Sequence, residues 1–228
     1  MNWLEQFAGQ ISFAELILKG LLIGIVVSAP LGPVGVMCIR RTLNKGRWHG
    51  FATGVGASVS DLVYAVITAF GMSFVFDIIN NEQNMFVLQL AGSVLLFGFG
   101  LHTFRTNPHS YRSDSMAKLR TVPVTKGKLA YNFSTGFALA ISNPLIILMF
   151  MALFARMSFV LPQLEMMERV VGYVAIWTGA TVWWFSITWV VNKLGHKFDV
   201  RGIWILNRVI GSAVMLFGSI GVVYTLMG

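Results

Sequence analysis

A single acidic residue, Asp61, stands inside the otherwise uncharged stretch GFATGVGASVSDLVYAVITAFGMSFVF between His49 and Asp77. A carboxylate near the centre of a membrane helix costs about 2.5–3.5 kcal/mol on insertion scales, and no Lys or Arg of the same stretch offsets it. Asp61 therefore faces a polar interior, is protonated, or both, and it suits an ammonium group or a proton. The structural alternative is a hydrogen bond to a Ser, Thr or Asn of a neighbouring helix. A second feature is SAPLGPVG at 28–35, which puts Pro30, Gly32, Pro33 and Gly35 within one apolar run. Proline removes an intrahelical hydrogen bond and crowds the carbonyl one turn back, so a helix breaks or kinks there. Freed backbone groups in hydrocarbon survive only where protein or a polar cavity lines them. A third feature, Ser142-Asn143-Pro144-Leu145, repeats the pattern of Ser28-Ala29-Pro30-Leu31 in a later apolar run. The N-terminus of a restarted half-helix carries partial positive charge and unpaired N–H groups, which suit a carboxylate. Asp61, Ser28, Pro30, Gly32, Pro33, Ser142, Asn143 and Pro144 are thus the candidate binding residues. Together they suit a zwitterion, or a cation and a proton in alternation.

The elements that must hold them follow from composition. Of 228 residues, 56% are apolar and 11% charged, and mean hydropathy is +0.71, whereas a soluble domain carries about 25% charge. The surface of this chain must meet lipid. Runs long enough to cross roughly 30 Å of hydrocarbon lie at 20–39, 83–104, 129–155, 170–192 and 209–228, and the Asp61 stretch makes a sixth. They are continuous rather than alternating, which predicts helices and argues against an outer-membrane barrel. The expected fold is all-α, a single polytopic domain over 1–228. The same composition excludes a disordered chain, and one cysteine excludes a disulfide scaffold or a Cys/His zinc module.

The net charge of +8 sorts by loop. The connections after the first, third and fifth spans hold 14 of the 17 basic residues, Arg40, Arg41, Lys45 and Arg47 among them, while only Lys19, Arg156 and Arg169 lie on the other side. The positive-inside rule then puts both termini outside the cytoplasm, and it accounts for the charge without a nucleic-acid partner. With an acid where a basic n-region belongs, the start MNWLEQFAG predicts no cleavable signal peptide. Residues 105–128 form the only long polar segment and are expected on the cytoplasmic surface against anionic lipid.

That segment joins two similar halves, about 13–104 and 129–228. Besides the two Ser-X-Pro-Leu sites, Gly56-Ala57-Ser58 matches Gly179-Ala180-Thr181, and Gly92-Ser93 before LLFG matches Gly211-Ser212 before MLFG. Three spans per half is an odd number, so the halves would be inverted, with a site between interrupted helices at the midplane. Taking about 1.5 Å per residue from the nearest basic residue, Pro30, Asp61 and Asn143 lie about 15, 21 and 22 Å deep. Gly92, Gly98, Gly211 and Gly218 are expected at helix contacts, within the chain or in a homodimer.

Other residue types carry less. His49, His102, His109 and His196 fall at helix ends or loops on the basic side, Cys38 is expected to be inert, and Lys19 to reach the surface. Trp177, Trp183, Trp184 and Trp189 crowd the fifth span, as packing, interfacial anchors or pathway lining. GVGAS at 54–58 lacks the lysine of a phosphate loop. With no His-Glu metal motif and no serine beside a base at depth, neither an enzyme nor a cofactor is expected.

SAPLGPVG, followed by RRTLNKGRWHGFATGVGASVSD and then ISNPLIILMF, resembles the lysine exporter type (LysE/RhtB) translocator superfamily over the whole chain. Where many members read Pro-Gly-Pro-Asn, this chain has Pro30-Leu31-Gly32-Pro33-Val34. The resemblance implies a proton-coupled secondary exporter of amino acids or similar small amines in a bacterial plasma membrane, with Pro30, Gly32 and Pro33 as one helix break, Asn143 and Pro144 as its counterpart and Asp61 as the charged site. Export of a metal cation, and a non-transporting membrane subunit, are the two other readings.

Overall fold

The computed structural model describes residues 13–78, 82–106, 129–157, 159, 165–195 and 200–227. Eight helices follow one another among them: α1 Phe13–Ser28, α2 Pro33–Lys45, α3 Arg47–Ile78, α4 Glu82–Arg105, α5 Leu129–Ile141, α6 Leu145–Met157, α7 Met166–Leu194 and α8 Val200–Met227. The protein is all-α and multi-pass. The start of the chain and the polar segment from 107 to 128 lie outside the described residues, as do His109 and His196.

Four helices, α3, α4, α7 and α8, are each long and apolar enough to cross a bilayer. The first and fourth apolar runs are each divided instead: α1 and α2 meet at 83°, α5 and α6 at 72°, and six spans result if each bent pair crosses as one. The expected break or kink is thus a full break in both places. Gly32 occupies the cap position of α2 and Pro33 follows at its start, where a missing N–H costs nothing. Between α2 and α3 only Gly46 intervenes. Its φ of 96° lies in the left-handed region that glycine adopts without strain, and its N–H bonds the Thr42 carbonyl. The basic residues expected in a loop there are accordingly helical, Arg40, Arg41 and Lys45 in α2 and Arg47 at the start of α3.

Three of the helix pairs that join the first four helices to the last four are held by glycine on both sides. On α1 against α7, a methyl at Gly24 would strike the Ile176 carbonyl, and one at Gly179 would strike the Leu21 carbonyl. On α3 against α5, Gly56 lies on the backbone of Phe133 and Phe137, and Gly136 on that of Thr53. On α4 against α8, Gly100 and Gly211 face each other and Gly218 meets Phe97. Lipid tails are as apolar as leucine, so close backbone approach drives such pairing in place of a hydrophobic force. Gly92 packs instead on Ala152 and Ala155 of α6. Gly98 makes no such contact within the chain, with nothing within 4 Å of the place its Cβ would occupy, whereas Gly100, two residues on, does.

Helix α3 is central, packing on α1, α2, α5, α6 and α7. The largest core cluster joins Met149, Phe150, Leu153 and Phe154 of α6 to Ile23 of α1, Leu96 of α4 and Ile176 of α7. Helices α4 and α8 turn Val94, Leu95, Leu216, Ile220 and Val223 outward, an apolar surface that belongs against lipid. Arg47 stacks over Phe185, Arg208 over Phe104 and Trp204, and Lys193 over Trp189, so the cations of the basic end lie on rings suited to an interface.

Candidate functional site

The first break is buried. Helix α1 ends at Ser28, whose hydroxyl donates to Asp61 Oδ2 at 2.7 Å, and both residues are only 4% exposed. Beyond it the chain turns tightly, with the Gly32 N–H on the Pro30 carbonyl at 2.9 Å. Leu31, at the bottom of that turn, offers two backbone groups that no helix can satisfy. Asn207 of α8 takes both: its side-chain oxygen accepts the Leu31 N–H at 3.2 Å and its amide donates to the Leu31 carbonyl at 3.4 Å. Backbone polar groups in hydrocarbon need such partners, and here a polar side chain comes from far along the chain. Asp61 therefore faces a polar partner, as required by its cost. No Lys or Arg pairs with it among the described residues.

The second break looks outward. Ser142, Asn143 and Pro144 are all exposed, and their polar groups are used locally. The Ser142 hydroxyl bonds back to the Ala138 carbonyl at 2.6 Å. Asn143 Oδ1 accepts the Leu145 N–H at 3.2 Å, the usual way an asparagine closes the open N-terminus of a helix with proline next in line. No hydrogen bond joins these three residues to Asp61 among those described. What links the breaks is α3, because the Tyr64 hydroxyl, three residues beyond Asp61, donates to the Ile141 carbonyl at the end of α5.

Of the candidate residues, then, the structure gathers Ser28 and Asp61 directly, sets partly buried Pro30 and Gly32 beside them, and leaves Pro33 exposed at the start of α2. Asn207 and Tyr64 were not among the candidates. Neither stands in a motif, and only their placement across from a broken helix gives them their roles. Trp183 packs beside Ala29, Ile210 and Val214 at the first break, and its indole N–H has no partner. Ser60 and Thr68 of α3 are also buried donors without a protein partner.

Arg41, counted from the sequence among the basic residues of a connection between spans, is buried instead. It is 5% exposed and bonds through Nη1 to Thr53 Oγ1, the Asn132 carbonyl and Thr135 Oγ1. Asn132 in turn meets His49 Nδ1 at 2.7 Å, so that histidine does more than add charge to a helix end. Lys19 pairs with Glu15 one turn away at 2.7 Å. Cys38 is buried, its thiol on the Gly50 carbonyl. Among the described residues no three His, Cys, Asp or Glu side chains converge to hold a metal ion.

Compared with known proteins, residues 25–224 match the model of the LysE type translocator family. The chain belongs to that family. The match spans both breaks, Asp61 and Asn207, and the family is one of transporters rather than enzymes. The chain is also 26% identical over 212 residues, 90% of its length and 93% of the relative's, to a Bacillus subtilis (strain 168) protein named "Putative amino acid efflux protein YcgF". No solved structure matches.

Proposed function

We propose that this translocator exports amino acids or related small amines across a bacterial plasma membrane in exchange for protons. The observation that supports the reading is the Asp61 carboxylate, buried beside the broken first span with no cation paired to it among the described residues, since its bond to Ser28 is one that a purely structural role also gives. A lone carboxylate at such a place holds either a proton or an ammonium group, and occupancy by one excludes the other. Competition of that kind suffices to couple outward movement of substrate to inward movement of protons. The unpaired start of α2 receives the substrate carboxylate, and Trp183, packed at the first break, offers a further donor.

Alternating access between two inverted halves, 13–104 and 129–228, supplies the movement. Several helix contacts of the first half recur in the second: α1 lies on α7 as α5 lies on α3, and Gly179 and Gly56 sit at those two contacts. The exchange is incomplete, since α2 packs on α3 whereas α6 packs on α4, as two halves caught in different positions would. The basic end faces the cytoplasm and both termini lie outside. The name of the Bacillus relative supports amino-acid efflux.

The deciding experiment is efflux of preloaded labelled leucine, lysine and phenylalanine from proteoliposomes under an imposed pH gradient. Gradient-dependent efflux of at least one, absent in Asp61→Asn with the variant still inserted, is the expected result. Normal efflux by Asp61→Asn would refute the coupling role. Failure of every amino acid, with cations moved instead, would replace the substrate class.

A further inference from the structure

Helix α2 carries a second charged group that the mechanism above does not use. Arg41 lies two turns beyond the break, and its guanidinium is enclosed by α2, α3 and α5 with only 5% of the residue exposed. All its partners are neutral. Nη1 is shared among Thr53 Oγ1 at 2.9 Å, the Asn132 carbonyl at 3.1 Å and Thr135 Oγ1 at 2.8 Å, and the Tyr131 ring centroid lies 5.8 Å from the guanidinium carbon. No carboxylate pairs with it among the described residues. Nε is buried and has no hydrogen-bond partner. Beside it, Asn132 is 1% exposed, and its side-chain oxygen is likewise unpartnered.

An enclosed cation without a counter-charge is strongly unfavourable, and a bound anion would relieve that cost. The Nε edge of a guanidinium is the edge that a carboxylate takes side-on with two parallel hydrogen bonds. That edge is the one left over here, while Nη1 is fully engaged. A lipid headgroup would approach from outside the bundle, whereas Nε is buried beside groups of three helices. Two of the three belong to the first half of the chain and one, α5, to the second, so a movement of the halves against each other would open the edge.

We propose that Arg41 is a carboxylate-binding residue for the exported amino acid, a loading station on the basic side that the substrate meets before the Asp61 site. The orphaned Asn132 oxygen is an acceptor for the ammonium group of the same molecule. The proposal rests on the exporter reading and is tested apart from it. Wild-type protein in vesicles lacking anionic lipid is loaded with labelled leucine, lysine or phenylalanine, and efflux is competed from the loaded side with each amino acid and with its decarboxylated amine, 3-methylbutylamine, cadaverine or phenethylamine. Wild type prefers the amino acid. In Arg41→Gln the KM for the amino acid rises at least about tenfold, as loss of a charge-assisted hydrogen bond implies, the amine competes as before, and the maximal rate stays within about twofold. Arg41→Lys keeps the charge and loses the two-pronged edge, so its preference falls between the two and decides the matter if Arg41→Gln does not insert. Thr135→Val removes an Nη1 partner only and leaves the preference unchanged. An amino-acid preference intact in Arg41→Gln or Arg41→Lys overturns the proposal and leaves the exporter standing. Equal loss in Thr135→Val also overturns it, by assigning Arg41 to holding helices together. Wild type that exports none of the amino acids overturns both readings at once.

Discussion

Both helix breaks are built on Ser-X-Pro-Leu, yet they are closed by different means. At the second, Asn143 accepts the Leu145 N–H itself and the residues are exposed. At the first, the corresponding cap is Gly32, which has no side chain to offer, and the site is buried. The backbone at Leu31 depends on Asn207, 176 positions away in the chain, and Ser28 is tied to Asp61. A break that caps itself can face any surroundings. One that borrows its partners must be surrounded by the helices that lend them, so α3 and α8 converge on it, and that convergence makes a polar interior with a carboxylate in it. Tyr64 reaches the self-capped break with one bond only.

The contrast is broken most severely at Asp61. Asp61→Asn should eliminate gradient-driven efflux, whereas Asn143→Ala, in the other break, should leave most of it, both read in the proteoliposome assay. Equal losses would mean that the breaks are functionally equivalent despite their different burial. Next in size is Asn207→Leu, which strands the Leu31 N–H and carbonyl in an apolar interior. Each unsatisfied buried group costs about 1–3 kcal/mol, so the variant should melt well below wild type in detergent. An unchanged melting temperature would show that Leu31 finds another partner. Asn143→Ala removes a helix cap and should cost about 0.5–2 kcal/mol, visible as a smaller shift in the same melt. Tyr64→Phe leaves one carbonyl with a helix-end geometry to fall back on and should cost about 0.5–1.5 kcal/mol, the least of the series. A Tyr64→Phe shift exceeding that of Asn207→Leu would reverse the ranking of the two breaks.

Much of the fold was legible beforehand because lipid imposes a coarse, local criterion. An apolar run is either long enough to span or it is not, and prolines at 30, 33 and 144 break a helix whatever surrounds them. Gly211 and Gly218 were readable as contact residues for the same reason. Gly98 makes no contact within the chain, since a helix exposes some glycines and buries others, and one position's rotation decides which. Arg41 was misread through a similar limit. The count of basic residues sees a cation near a span end, but it cannot see that the turn at Gly46 is one residue long and keeps Arg41 within the helix.

What this sequence determined alone is the all-helical membrane architecture, the location of both breaks and the identity of Asp61 as the one acid within a span, because each follows from the cost of placing a residue type in hydrocarbon. What only the tertiary structure decided is which break is buried, and that Asn207, Tyr64 and Arg41 serve the interior. Those roles depend on which side chains face one another across helices, and hydrogen bonding acts over about 3 Å of space regardless of how many residues separate the partners along the chain.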